Sequence, residues 1–251
     1  MFKNYKMKNI AIITARMSSS RLPGKVMMRI NKIPTIKILY DRLKYSKLLN
    51  DIVIATSNCK TDDVLANFLK KKKIKFFRGS KNNVVDRVIK TANHFKAKNI
   101  ILITGDCPLI DFNLVDQCIR TFELNSVDFV TNANIRSYPD GMDAQIFKKS
   151  TLIKFYKKSA NYKELEHVTL CMRKNINKKK MINIFSPHDL NYPHIGLTLD
   201  DKRDFLLIKK IIKYFWKQKK KNFTCKEVLN YLFSNKKLLN INSNVVRKGD
   251  N

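Results

Sequence analysis

Glycine is scarce. The 251 residues hold six, and none falls into the spacing of a Walker A loop or a dinucleotide-binding fingerprint, so neither device is present. Cysteine is no better organised: Cys59, Cys107, Cys118, Cys171 and Cys225 are an odd, scattered set without a Cys-x-x-Cys pair. That argues against a zinc site or a disulfide framework and fits free thiols in a reducing cytoplasm. His94, His188 and His194 show no ligand spacing and read as structural. No apolar run approaches the ~20 residues of a membrane span, and residues 10–14 are too short for the apolar region of a secretory signal. Neither an internal repeat nor a flexible linker interrupts the chain. One domain is therefore expected over residues 1–233, within which residues 1–6 are a lead or an early start. Residues 234–251, polar and rich in Asn and Lys, are expected to be a loose tail.

Acidic residues are the third shortage, 20 against 51 Lys and Arg, for a formal charge of +31. Such an excess points to a polyanion: nucleic acid, an anionic membrane or a phosphate-rich substrate. Yet there is no arginine-rich stripe, no nucleic-acid-binding module and no interleaving of aromatics with cations. Lysine runs such as 70–73 and 219–221 read as solvated faces. A specific nucleic-acid partner is not expected, whereas faster capture of an anionic nucleotide is.

What the chain does have begins at residues 9–25. Residues 10–14 are a β-branched apolar run, the composition of a strand buried on both faces. It opens into a loop of small residues carrying Arg16, Arg21 and Lys25. Backbone N–H groups, hydroxyls and cations in such a loop can wrap a phosphate, although an ordinary basic surface loop has the same composition. Downstream, helices are expected over 34–47, 61–73 (capped by Thr61), 85–95 and 113–125, and strands over 51–56, 74–77, 99–104 and 127–132. This alternation demands crossovers, hence a mostly parallel, Rossmann-like α/β sheet with helices on both faces and ligands beyond the carboxyl ends of its strands. After residue 132 the pattern loosens. Strands are expected over 143–147, 181–186 and 194–199, and helices over 151–160, 164–174, 201–217 and 227–233.

Asp106 directly follows the apolar strand 99–104 and Gly105, where a carboxylate can bind Mg²⁺ or merely cap a turn. Asp200 and Asp201 precede a helix, so either is equally suited to capping it. Asp86 and Arg87 could be a phosphate contact or a surface ion pair.

Residues 14–25 resemble the signature loop of the sugar-activating cytidylyltransferases, and the spore-coat-polysaccharide branch more than the sialate or deoxy-octulosonate branches. Ser18 stands where that family usually has Gly. Residues 104–111, Thr-Gly-Asp-Cys-Pro-Leu-Ile-Asp, are similar to the family's metal motif. Residues 197–204 match its second Asp-containing motif at Asp200 and Asp204 and depart between them. Residues 78–80 with 85–87, and 56–58, resemble segments framing the nucleotide. Residues 138–147 and 166–169 resemble substrate-side motifs of the spore-coat branch, with Gln145 in place of a usual Glu.

The resemblance implies a nucleotide-diphospho-sugar transferase fold and an enzyme joining CTP to a sugar acid or sugar phosphate, with pyrophosphate released, for surface polysaccharide or glycan synthesis. It implies catalytic roles for Arg16, Arg21, Lys25 and Asp106, and a nucleotide site of Ala15, Ser18, Ser20, Thr56, Ser57, Arg78, Gly79, Asp86 and Arg87. Substrate contacts fall to Asp140, Asp143, Gln145 and His167, the last equally suited to a structural role. Mg²⁺ is implied as cofactor on Asp106 and Asp200, whose carboxylates should then lie within roughly 7 Å of each other; left unpaired, they would repel and raise one pKa. A homodimer is left open. The alternatives are a metal-dependent glycosyltransferase of related fold, a basic nucleic-acid-binding protein, or a family member that has lost activity.

Overall fold

The computed structural model describes residues 8–159 and 161–247; the expectation for residues 1–6 lies outside them. In chain order the elements are β1 (Asn9–Thr14), the short β2 (Arg29–Ile30) and β3 (Ile33–Pro34), α1 (Thr35–Leu43), β4 (Asp51–Ser57), α2 (Asp63–Lys71) and β5 (Phe76–Gly79). Then follow α3 (Val84–His94), β6 (Asn99–Thr104), α4 (Phe112–Leu124), β7 (Phe129–Thr131) and β8 (Gln145–Lys148). The last third holds α5 (Lys149–Tyr156), α6 (Tyr162–Glu166), α7 (Leu170–Asn175), β9 (Met181–Asn183), α8 (Lys202–Lys217) and α9 (Cys225–Ser234).

Seven strands form one sheet in the order β5-β4-β1-β6-β8-β7-β9, and only β8 runs against the rest. The mostly parallel α/β sheet expected from the sequence is the one found. Its strands read as continuous apolar runs because successive side chains serve opposite cores. Ala11, Ile13, Ile54, Ile101 and Ile103 pack with α1, α4 and α8. Ile10, Ile12, Val53, Ile100 and Leu102 pack with α3, α5 and α7. With β1 central and fully covered, the end of the central strands is the natural place for a polar site.

The fold departs from expectation in four places. The helix foreseen over 164–174 is two short helices, broken at His167, which leaves α6 with extended backbone. The strand foreseen over 194–199 reduces to one bridge, Asp140 with Gly196, because this segment is held by single bonds to other loops. Thr61 does not cap α2; it lies inside a 3-10 turn, Lys60–Asp62, that precedes the helix. Finally, residues 234–247 are not loose. Leu238, Leu239 and Ile241 pack against the larger core, and Asn242 is buried, donating to Gly196 O at 2.9 Å and to Asp204 Oδ1 at 2.7 Å. A polar composition concealed a segment that packs three of its apolar side chains and one buried amide onto the domain.

Candidate active site

Two chain crossings create the site. Gly105 follows β6 and donates its N–H to Thr14 O at the end of β1, 2.9 Å away. A Cβ at position 105 would come within 2.9 Å of that oxygen, so only glycine allows the two strand ends this close. Gly141 does the same further on. Its φ is +106°, and a Cβ there would meet Leu197 C and Thr198 N at 2.6 Å. Leu197 N–H donates to Asp140 O at 2.6 Å and Leu199 N–H to Asp106 O at 2.8 Å. The segment 197–200 is thereby stitched onto the end of the sheet, and Asp200 arrives beside Asp106.

Lys25 lies between them. The loop after β1 turns at Gly24, φ +71°, into a 3-10 turn, and Thr35 Oγ1 donates to Lys25 O at 2.7 Å. The Lys25 ammonium is 2.6 Å from Asp106 Oδ2 and 2.9 Å from Asp200 Oδ1. Two oxygens touching the same nitrogen at those distances meet the roughly 7 Å limit for carboxylates serving one Mg²⁺. Arg21 Nη2 holds the other oxygen of Asp200 at 2.9 Å. The carboxylates are therefore not the unpaired, repelling couple foreseen. Burial alone would raise the Asp106 carboxyl, but the charge and hydrogen bond of Lys25 override it, and the net shift is downward. Burial likewise opposes the Lys25 charge, and the two aspartates outweigh it, so its pKa is raised. Burial, with Asp106 next to it, pushes the Cys107 thiol well above its ordinary value, which rules it out as a thiolate nucleophile.

Around this centre the surface opens into two joined lobes of about 790 and 400 Å³, which share Thr14, Val84, Thr104, Asp106, Glu166, His167 and Asp200. The smaller lobe is walled by the loop after β1: Ala15, Arg16, Ser19, Ser20, Arg21 and Lys25, with Arg87 from α3. Arg16 Nη2 pairs with Glu166 at 2.6 Å, closing one side. Arg87 is 2 % exposed and donates from Nη1 to Ser80 O at 2.7 Å, while its buried Nε has no partner among the described residues. Burial and the nearby Arg16 lower its pKa to about 10, against the weaker opposing pull of Asp62. A buried guanidinium short of anions beside a second cation is a place for a phosphate.

The larger lobe carries Asp140, Asp143, Gln145 and His167, all foreseen as substrate contacts, together with Arg136, Lys174 and Arg247. Arg136 grips Asp143 with two nitrogens, at 2.7 and 2.9 Å, and Asp140 with one at 2.9 Å. Burial lowers the Arg136 pKa, but those carboxylates prevail and it ends raised. Asp140 ends raised as well: burial dominates, and Asp200 and Asp106 add to it against Arg136 and Arg247. Gln145 Oε1 is buried without a donor among the described residues.

Several foreseen nucleotide contacts lie elsewhere. Ser18 lines neither lobe; Ser19 does instead. Thr56 and Ser57 are buried at the end of β4, away from both lobes, with Ser57 N–H and Oγ donating to Asp62. Arg78 is spent on Ser57 O, Cys59 O and Asp63. Gly79 makes room for Arg87, whose Cγ a Cβ would approach to 3.0 Å. Asp86 pairs with Lys90 one turn along α3, in place of the Asp86–Arg87 pair weighed above. None of these five lines either lobe; Ser57, Arg78 and Asp86 spend their polar groups on neighbouring residues instead.

Three residues to which the sequence reading gave no role support the site. Asp62, fully buried, accepts the Met17 N–H at 2.6 Å as well as both Ser57 donors, fastening the cationic loop to β4. Arg42, from α1, gives its donors to Leu109 O, Ile110 O, Lys221 O and Phe223 O and lies 3.9 Å over the Phe223 ring, holding the turn after Asp106. Asp204 completes the capping box that starts α8 and takes the Asp200 N–H at 3.0 Å. Only the last had a signal, an Asp three residues after a capping Asp.

A family model described as cytidylyltransferase matches residues 10–239. The chain is 33 % identical over 242 residues to an uncharacterized protein of Methanocaldococcus jannaschii, covering 96 % of this chain and 97 % of that protein. It is 34 % identical over 203 residues to the spore coat polysaccharide biosynthesis protein SpsF of Bacillus subtilis, covering 79 % and 83 %. Among solved structures, a cytidylyltransferase from Leptospira borgpetersenii superposes with a TM-score of 0.87 at 29 % identity, over 97 % of this chain and all of that one.

Proposed function

Since the chain belongs to the cytidylyltransferase family, we propose that it joins CTP to a sugar acid or sugar phosphate, with release of pyrophosphate, in the synthesis of a surface polysaccharide or glycan. The observation that carries this reading is the Lys25 ammonium spanning Asp106 and Asp200 where the two lobes meet. Two carboxylates close enough to share one ammonium are close enough to share one divalent cation, which supports reading them as a metal site. Among the described residues no third His, Cys, Asp or Glu joins them. That suits Mg²⁺, which takes one or two carboxylates and fills its shell with phosphate oxygens and water. Bound there, Mg²⁺ supplies charge neutralisation across the triphosphate.

The protein's own contribution is placement and charge. The smaller lobe takes the triphosphate, with Arg16, Arg21, Lys25 and the buried Arg87 facing its oxygens. The acceptor sits in the larger lobe, its hydroxyls received by Asp140, Asp143 and Gln145. Its oxygen attacks the α-phosphorus in line; the new O–P bond forms as the bond to pyrophosphate breaks. Such a transfer depends on positioning and electrostatics more than on covalent chemistry, which suits a site without a nucleophilic thiolate.

A thermal-shift panel of the four nucleoside triphosphates with Mg²⁺ tests the nucleotide half, because a ligand bound only by the native state raises Tm. CTP is expected to give the largest shift, and no response to any of the four would overturn the reading. Pyrophosphate release from CTP with a panel of sugar acids and sugar phosphates tests the transfer and separates it from a glycosyltransferase, which consumes a nucleotide-sugar. Asp106→Asn and Asp200→Asn should keep the fold and lose Mg²⁺-dependent turnover.

A further inference from the structure

Asp204 is a fully buried carboxylate with four donors on it. Two come from the site: the backbone N–H groups of Asp200 and Asp201, 3.0 and 2.9 Å from Oδ2. Two come from the far end of the chain: Asn242 Nδ2 at 2.7 Å and Arg247 Nη2 at 2.9 Å, both on Oδ1. The carboxylate that fixes the backbone of Asp200 is thus neutralised by Arg247. Its guanidinium reaches that position across Gly196, where an added Cβ would fall 1.6 Å from Nη2 and 2.0 Å from Cζ. Arg247 also lines the larger lobe, 3.7 Å from Asp140 Oδ2. Residues 242–247 lie beyond the matched stretch 10–239.

We propose that Arg247 is a positioning residue for Asp200, acting through Asp204, and that the segment 242–247 is a working part of the active site. The inference rests on the proposed role of Asp200 in holding the triphosphate with its metal. A buried carboxylate robbed of its cation is left uncompensated, and its surroundings rearrange to hydrate it. The Oδ2 side then loses its hold on the Asp200 and Asp201 amides. The Asp200 carboxylate then swings away from Asp106, and the divalent-cation site opens. Gly196 is the counterpart of this device, the gap through which the guanidinium passes.

That pairing supplies the test. Gly196 does not have the left-handed φ that favours glycine, and the three atoms nearest a new Cβ all belong to the flexible end of Arg247, so Gly196→Ala should fold and evict the guanidinium. CTP turnover, the Mg²⁺ concentration for half-maximal rate and the calorimetric Kd of CTP with Mg²⁺ are measured for Arg247→Ala, Arg247→Lys, Gly196→Ala and the double variant Gly196→Ala/Arg247→Ala. Arg247→Ala and Gly196→Ala are each expected to lower kcat by about ten- to a hundredfold and to raise the Mg²⁺ requirement, with Arg247→Lys recovering part of both. The double variant should be no worse than Arg247→Ala alone, since the glycine matters only while the arginine is there. Unchanged kcat and Mg²⁺ requirement in Arg247→Ala would overturn the proposal, as would an effect confined to the KM of the acceptor, or additive losses in the double variant. Asp200→Asn is run alongside: if it too is fully active, it is the role of Asp200 that fails; if it is dead while Arg247→Ala is normal, only the positioning role fails.

Discussion

Replacing Lys25 with Met keeps the length of the side chain and removes the charge that sits between Asp106 and Asp200. At the 2.6 and 2.9 Å separations of this cluster, two interactions of about 6 kcal/mol each at an effective dielectric of 20 are lost and a carboxylate–carboxylate repulsion is exposed. Removing one partner of a buried ion pair typically costs about 3–5 kcal/mol. Here Arg21 still holds Asp200 and the Asp106 side chain is 23 % exposed, so about 2–3 kcal/mol is expected, or roughly 5–10 °C in Tm for a domain of this size. The pH dependence carries the sharper signature. In the native protein the Asp106 carboxyl lies below its unfolded value, so its contribution is present above about pH 4 and fades as pH falls through the folded pKa. Lys25 is raised, so its contribution holds below about pH 10 and is lost as pH climbs through its folded pKa. In Lys25→Met, burial is opposed only by the hydrogen bonds of Thr104 and the backbone, so the Asp106 pKa should rise and its contribution reverse: favourable below about pH 4, lost as pH rises. The gap in Tm between the two proteins should therefore be small at pH 4 and widest from about pH 7 to 9. Mg²⁺ without nucleotide should raise Tm more in the variant, where no ammonium competes for the carboxylates. Turnover of CTP should fall by about 10²-fold or more. A scan of Tm from pH 4 to 9, with and without Mg²⁺, decides it. Equal Tm values at every pH and equal Mg²⁺ responses would refute the cation site.

Arg87→Met should weaken CTP binding by about tenfold in a calorimetric titration, and unchanged affinity would remove Arg87 from the nucleotide lobe. Gly141→Ala, placed at φ +106° against the Leu197 and Thr198 backbone, should cost about 3 kcal/mol or more in denaturant unfolding; a loss below about 1 kcal/mol would mean the two loops are not locked together. Nucleic acid should bind weakly, without sequence preference, and release between about 50 and 200 mM salt, so a nanomolar, sequence-selective complex in a gel shift at about 150 mM salt would reverse that expectation.

The parallel half of the sheet was legible because β1, β4 and β6 are buried on both faces, and a run such as 99–104 has few other uses. The cationic loop and Asp106 stood out as polar interruptions at strand ends. What escaped were features set by contacts distant in sequence. Asn31 and Lys32 both take positive φ in the two-residue turn between β2 and β3, a conformation usually marked by glycine, so the hairpin left no sign. The break at His167 interrupts an otherwise helical pattern where Arg16, 150 positions away, takes Glu166. Thr56, Ser57, Arg78, Gly79 and Asp86 were placed in the right segments, and the chain alone does not say which way a strand end turns. That Asp106 and Asp200 meet followed from the family pattern; local sequence offers no reason for it.

The reversed strand β8 has a consequence for how this enzyme can change. In a parallel sheet each strand offers the ligand edge only the loop that leaves it. Running the other way, β8 presents its beginning there, with Gln145 opposite Leu102 of β6, and the approach that carries Arg136, Asp140 and Asp143 falls on the same rim. On the proposed assignment, the residues facing the acceptor come from a hairpin-like excursion between β7 and β8, whereas the loops facing the triphosphate leave β1 and β6. One excursion can be lengthened, shortened or exchanged without rethreading the other. Grafting residues 132–148 between relatives should transfer the choice of sugar while leaving the choice of nucleotide where it was.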